Sequence, residues 1–434
     1  MNSIRVTEFG AVGDGKTMNT RAFALALEAI RKNGGGELVV PAGEFLSGGI
    51  RLVDNLTLRL EKGAVLKASG NIADHYHDAR YENLWLDDYF IYALGVRNLK
   101  IIGDGVIDGN GRGYWEDVYR CGIPFGELPE NLAVIHYNVL KAKDRGRPVM
   151  LYLEDCRDIE IRDITLRNAA CYTVWSVSSR DLRIDHVLIR NLRYGPNTDA
   201  LDIDCSQNVL ITDCDIDAGD DCIAVKSDPN RFGRMDACEN IRVENCRLSS
   251  TTCAIRIGYE GDAPIRDLTF RNLDIRDSRH GIDILSVAPN CKLRIDHGTP
   301  MDHFTFENFR MDNVGQAFFI WAGNEPPRSV YDGHIRNLVL RNMEIRAVAS
   351  SFIGSEKPGE ITGVTMKNIT MHVSDLPEIP PVEDFSTMPN LWGDWWKCGS
   401  LRLHNAPGVS LENCRITCGQ PNFSAIEQSE SKKK

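Results

Sequence analysis

The feature that most constrains this chain is a five-residue pattern: apolar, any, apolar, any, then a polar residue that is usually Asn or Asp. It reads Ile159, Ile161, Asp163, with a weaker copy at Leu182, Ile184, His186. It continues through Val209, Ile211, Asp213; Ile241, Val243, Asn245; and Leu268, Phe270, Asn272. Later copies are Phe304, Phe306, Asn308; Leu338, Leu340, Asn342; Val364, Met366, Asn368; and Val409, Leu411, Asn413. Alternation at period two marks a short strand with one buried face, and the polar residue marks a turn. The copies are 23 residues apart at Ile159 and Leu182 and 45 apart at Val364 and Val409. That is too sparse for a sandwich, whose turn signals return about every 8–12 residues. Strands without helices between them also do not build βαβ units. The pattern predicts an all-β solenoid in which each coil buries its inner face against its neighbours and loops of varying length leave the core constant. The repeated Asn is placed to form a ladder at one corner, its amides bonding coil to coil.

A solenoid end needs a cap. Arg21 to Arg31 carries apolar Phe23, Leu25, Ala26, Leu27 and Ile30, with Asn19 or Thr20 as N-cap and Gly34, Gly35 and Gly36 as a stop, so a capping helix is expected there. Glu37 to Val40 and Leu56 to Leu60 read as the first strands. One domain is expected over residues 1–423, with the cap at about 1–36, and the apolar-poor tail 424–434 is expected to fray. A length of 434 residues suits one solenoid, which grows without a second core.

A formal net charge of −11 disfavours a nucleic-acid partner. No apolar run approaches the ~20 residues of a membrane span. Met1 to Phe9 shows no basic-then-apolar leader, which points to a cytoplasmic address unless a leader has been removed and the protein is secreted. The 13 cysteines are scattered without paired C-x-x-C clusters, and many flank strand-like runs. Buried, reduced thiols are therefore expected rather than a zinc ribbon or a disulfide framework.

The acids concentrate between Asn197 and Ser227. Asp199 lies in Asn197-Thr198-Asp199, and Asp220 and Asp221 follow Gly219, 21 residues after Asp199 and about one coil later. Coils stack ~4.8 Å apart, so these acids should share one face, splayed toward the ~6.5–9.5 Å that leaves room for a water. Consecutive strand residues point to opposite faces, so Asp220 and Asp221 can both face a cleft only if the backbone bends, a freedom Gly219 would supply. One carboxylic acid with a raised pKa would protonate a leaving oxygen while ionised partners activate water. Taken singly, Gly-Asp-Asp is most often a turn, and an acid cluster can also hold calcium. Two such motifs one coil apart in a solenoid are far more specific.

The order Asn197-Thr198-Asp199, then Gly219-Asp220-Asp221-Cys222-Ile223-Ala224-Val225-Lys226-Ser227, resembles the polygalacturonases of glycoside hydrolase family 28, in the pectin-lyase-like β-helix superfamily. Phe9-Gly10-Ala11-Val12-Gly13-Asp14-Gly15, Pro41-Ala42-Gly43 and Gly105 to Gly111 extend the likeness from about Val6 to Asn413. The resemblance implies a right-handed parallel β-helix and an inverting hydrolase of pectic or related uronate-containing oligosaccharides. It implies Asp220 as general acid, Asp199 and Asp221 as the residues that hold and activate water, and no metal or other cofactor.

Two family motifs are missing. Cys253-Ala254 stands where the family has His-Gly, and His280-Gly281-Ile282-Asp283-Ile284-Leu285 where it has Arg-Ile-Lys, whose basic residues grip the sugar carboxylate. Arg256, Arg279 and His280 are the candidates to replace that grip, since Arg binds carboxylates bidentately. Their bland alternative is a solvated outer face. Asn197 and Lys226 are further substrate-binding candidates from the matching motifs. Phe318, Phe319 and Trp321, then Trp392, Trp395 and Trp396, form late aromatic clusters; Trp321 and its neighbours suit a sugar face, or else plug an open coil end. Loops closing the cleft, like a cytoplasmic address, would favour exo-action. The other functions the sequence allows are hydrolysis of another linkage (rhamnogalacturonan or a neutral glycoside), a β-eliminating polysaccharide lyase, and a β-helix that only binds glycans. The oligomeric state is not legible.

Overall fold

The computed structural model describes residues 3–78, 86–120, 122–127, 139–143, 146–228, 233–288, 297–324, 331–374, 399–419 and 424–430. Its strands wind as a right-handed parallel β-helix in which each coil contributes strands to three faces. The pattern residues all fall on one face and stack in register. Leu56, Leu99, Ile159, Leu182, Val209, Ile241, Leu268, Phe304, Leu338, Val364 and Val409 form a single inward column. All but Val409 are buried, and each such side chain contributes roughly 1.5–3 kcal/mol of burial. Farther along, Phe270 stacks on Phe306 at 4.9 Å between centroids, so the ring pair continues the column geometry.

From Asn245 onward the corner after the pattern strand is the expected ladder. Amides bond from Asn272 to Asn245, Asn308 to Asn272, Asn342 to Asn308, Asn368 to Asn342 and Asn413 to Asn368, at 2.9–3.1 Å. Each of these Asn residues takes a left-handed φ of 50–60°, which Asn tolerates better than most residues. One residue type thus supplies both the turn and the bond to the next coil.

The N-terminal helix spans Thr20–Lys32 and buries Phe23, Ala26, Leu27 and Ile30. Leu25, expected on the apolar side, is exposed. Asn19 does not cap the helix by a side-chain bond. Its amide instead ties Val12, Thr17 and Leu46 together. At the other end, the tail expected to fray contributes a last strand, Ile426–Ser429, paired parallel with Leu401–His404. The reason is register: an open coil edge offers unpaired backbone groups that even a polar segment can satisfy. Ten described cysteines are free and eight of them buried, as expected of small core residues. No helix among the described residues is long and apolar enough to cross a membrane.

Candidate active site

The carboxylates rise from turns that precede two of three adjacent strands of a second face, Asp199 before Leu201–Asp204 and Asp220 and Asp221 before Ile223–Ser227. Val174–Val177, Leu201–Asp204 and Ile223–Ser227 are neighbours in that order. Their leading turns stack by backbone bonds, Thr173 N–H to the Asp199 carbonyl and Ala200 N–H to the Asp221 carbonyl, both 2.8 Å. Asn191 secures the Asp199 turn by donating to Thr173 Oγ1 and to the Thr198 carbonyl. The next coil holds the Asp220 turn: Ser250 Oγ donates to the Asp220 carbonyl and Thr251 Oγ1 to that of Gly219.

One oxygen each of Asp199, Asp220 and Asp221 lies within 4.8 Å of the others. The three share one face as expected, because the turns stack at coil spacing and a bend brings Asp220 and Asp221 to one side. The bend does not use a positive φ at Gly219. A Cβ there would lie 2.5 Å from the Leu192 carbonyl oxygen and from Thr198 Oγ1, so glycine is required by close approach. The three oxygens could also ligate a divalent cation, as could the corner group Asp185, His186 and Asp213.

Burial pushes Asp199 well above the ordinary carboxylate range, reinforced by Asp202 and Asp220 and opposed by Lys226. Burial does the same to Asp221, where Arg256 opposes it and Asp220 adds to it. The upward push expected on an acid thus falls on Asp199 and Asp221.

Lys226 was a substrate-binding candidate, but its ammonium is engaged by the protein. It lies 2.8 Å from Asp202, 3.5 Å from Asp199 and 3.8 Å from Glu260, and donates to the Tyr172 hydroxyl at 2.9 Å. Its side chain is 3% exposed. Although burial disfavours its charge, Asp202 and Glu260 outweigh that and hold it protonated. Its ammonium thus ties Asp199, Asp202, Glu260 and Tyr172 together.

Arg256 does reach the site. It bridges Asp221 and Asp283, 3.5 Å from each, with its guanidinium 5.9 Å from the Tyr259 ring centre. His280 lies in register with Cys253, one coil beyond the place of the missing His-Gly, and its Nδ1 sits 2.8 Å from Asp283 Oδ2. Burial pushes Asp283 upward, but His280 and Arg256 outweigh it and hold the carboxyl below its usual range. Arg279 is buried on the same side, near enough to act on both His280 and Asp283.

Asn197, at φ 53°, accepts from Arg120 at 3.1 Å and Arg147 at 3.0 Å. Trp321 is not brought to the acids. It lies two coils past Arg256, buried, with its ring 6.1 Å from Phe352. Phe318 and Phe319 are buried with it, so this cluster is packing. Trp392, Trp395 and Trp396 lie outside the described residues. The residues missed from sequence are Tyr172, Asp202, Tyr259, Glu260 and Asp283. Asp202 stood within the acid cluster, and Asp283 within the altered motif.

The pattern described as "Glycosyl hydrolases family 28" matches residues 32–375. A probable polygalacturonase of Vitis vinifera is 29% identical over 86% of this chain and 75% of its own. An exo-poly-alpha-D-galacturonosidase of Dickeya chrysanthemi is 26% identical over 84% of this chain and 65% of its own length. The family 28 exopolygalacturonase of Yersinia enterocolitica superposes with a TM-score of 0.66 at 20% identity, over 99% of this chain and 78% of that one, a likeness of fold. With the family model matching most of its length, the chain belongs to family 28 of the glycosyl hydrolases.

Proposed function

We propose that this chain hydrolyses glycosidic bonds of pectic, uronate-containing oligosaccharides with inversion, removing residues from a chain end. The observation that carries the reading is the convergence of Asp199, Asp220 and Asp221 oxygens within 4.8 Å on one face. Asp221 has Arg256 and Asp199 has Lys226, each 3.5 Å away, and these cations offset part of the push that burial exerts toward the neutral acid. Asp220 stands with one oxygen within 4.8 Å of both other acids, and no ion pair holds it among the described residues. Water attacks the anomeric carbon and gives its proton to Asp199 or Asp221, while Asp220 protonates the departing oxygen. The pectic substrate and the exo mode rest on the relatives named polygalacturonase and exo-poly-alpha-D-galacturonosidase.

The test is reducing-sugar release from oligogalacturonides, rhamnogalacturonan oligosaccharides and neutral glycosides by wild type and Asp220→Asn, with NMR of the first anomer formed. The reading expects an inverted anomer, single-residue products and a loss of at least about 10²-fold in the variant. Predominant mid-chain cuts would refute exo-action. A retained anomer would refute inversion and select a carboxylate nucleophile instead.

A further inference from the structure

The chain segments that deliver Asp199 and Asp220 touch before either acid is reached. The loop from Leu192 to Thr198, which leads into Asp199, lies directly on Gly219. A Cβ at Gly219 would stand 2.5 Å from the Leu192 carbonyl oxygen and Thr198 Oγ1, and 2.6 Å from the Gly195 carbonyl oxygen. Contact of this kind sets how near the loop and the Asp220 turn can come. It does not set how far apart they can drift, so another group must hold them together.

Arg193 supplies that tie. It sits within the loop, and its guanidinium crosses the next three coils. Nη1 donates to Asp217 Oδ1 at 3.0 Å and to Ser249 Oγ, and Nη2 donates to the Asp277 carbonyl. Asp217 lies two residues before Gly219 on the strand Asp215–Ala218, opposite Ser249 in register. The main chain of Arg193 is held as well: Thr251 Oγ1 bonds to its carbonyl and, at 2.8 Å, to that of Gly219. One residue of the Asp199 loop is thus fastened by side chain and backbone to the coil of Asp220 and to the coil behind it. Its partners stand on the strands and turns around the acids, not among the three acids themselves. Only a planar fork can reach an Asp, a Ser and a carbonyl on three coils at once; a lysine is a single point charge.

We infer that Arg193 is a positioning residue, which clamps the Asp199 loop to the Asp220 turn and so sets the gap between the proton donor and the carboxylates that hold water. The inference rests on the hydrolytic reading above, in which a misplacement of about 1 Å costs about 10²-fold in rate. The test uses Arg193→Met and Arg193→Lys, with Arg276→Met as control, since the Arg276 side chain pairs within its own strand with Asp274 at 2.6 Å. Each is assayed for kcat and KM on the best oligosaccharide of the panel and for its urea unfolding midpoint. Amide hydrogen exchange is followed at Ala200 and Leu201, whose N–H groups donate to the Asp221 and Cys222 carbonyls, and at Leu99 in a distant coil.

Arg193→Met should lower kcat by at least about tenfold with KM within about twofold of wild type, and should speed exchange at Ala200 and Leu201 but not at Leu99. Arg193→Lys keeps the ion pair with Asp217 and should recover the unfolding midpoint, while its kcat stays at least about threefold below wild type because the fork is lost. Arg276→Met should match wild type throughout. A folded Arg193→Met enzyme with wild-type kcat, or one whose loss lies wholly in KM, overturns the inference. So does exchange that rises equally at Leu99, which marks a general loss of stability. If Arg193→Met does not fold, Arg193→Lys decides, and wild-type kcat there overturns the inference. If wild type hydrolyses nothing in the panel, the hydrolytic reading falls. Faster exchange confined to Ala200 and Leu201 then upholds the clamp, and unchanged exchange overturns it.

Discussion

Replacing Lys226 by Met should shift the pH dependence of turnover, and the structure sets the size. The ammonium stands 3.5 Å from Asp199. At an effective dielectric of about 20, two unit charges at that distance interact by about 5 kcal/mol, or roughly 3.5 pH units, as a ceiling without relaxation. Water entering the cleft reduces this, and a shift of at least about one unit is the expectation. Removing a cation raises the pKa of a neighbouring carboxylate, so the ascending limb of kcat/KM, where Asp199 ionises, must move to higher pH. Lys226→Arg keeps the charge and should stay near wild type.

Stability should fall by roughly 3–5 kcal/mol, the cost of leaving buried carboxylates without their cation. The loss should be smaller at pH 5 than at pH 8. Burial, against the pull of Lys226, pushes Asp202 up to about 7, and without the lysine it protonates still more readily. The assays are kcat/KM against pH on the best substrate found, and urea unfolding at both pH values. A folded Lys226→Met enzyme whose ascending limb coincides with that of wild type would refute the assignment of Lys226 as the group that charges Asp199.

Three further predictions concern the frame. Asn308 bonds to Asn272 and Asn342 at φ 60°. Asn308→Ala should cost about 2–3 kcal/mol, and Asn308→Gly about 1 kcal/mol less because glycine is unstrained there, by chemical denaturation; equal losses would remove the strain argument. Burial, opposed by Lys226 and Trp175, raises Asp204 to about 6. Its contribution to stability is therefore full below its unfolded pKa of about 4 and lost as pH rises through 6, by about 3 kcal/mol. Asp204→Asn should flatten that part of a stability–pH curve, and an unchanged slope would count against it. Gly219→Ala pushes a methyl against the Leu192 carbonyl and Thr198, so kcat should drop by about 10² as the Asp220 turn shifts. Wild-type kcat in this variant would show that the turn absorbs the methyl without moving the acids.

Much of this molecule was legible from its residues. The period-two pattern and its polar terminator are local and repeat, and parallel stacking leaves one register that buries every copy. Ile159 through Val409 therefore fell into one column, and the Asn residues into one ladder. The clustering of the three carboxylates was legible because two motifs one coil apart must become neighbours. The partners of those carboxylates depended on the tertiary structure. Whether Lys226 faces a ligand or a carboxylate depends on Tyr172, 54 residues away, and on a bulge that brings Glu260 back over it. Whether Arg256 grips a substrate or bridges Asp221 and Asp283 depends on an aspartate 27 residues later in the chain. Periodicity cannot report such contacts, because bulges and loop lengths change which side chains meet while leaving the repeat intact. The alternation of residues set the coil and its register; the charge balance of the cleft was set by side chains that only the stacked coils bring within ion-pair distance.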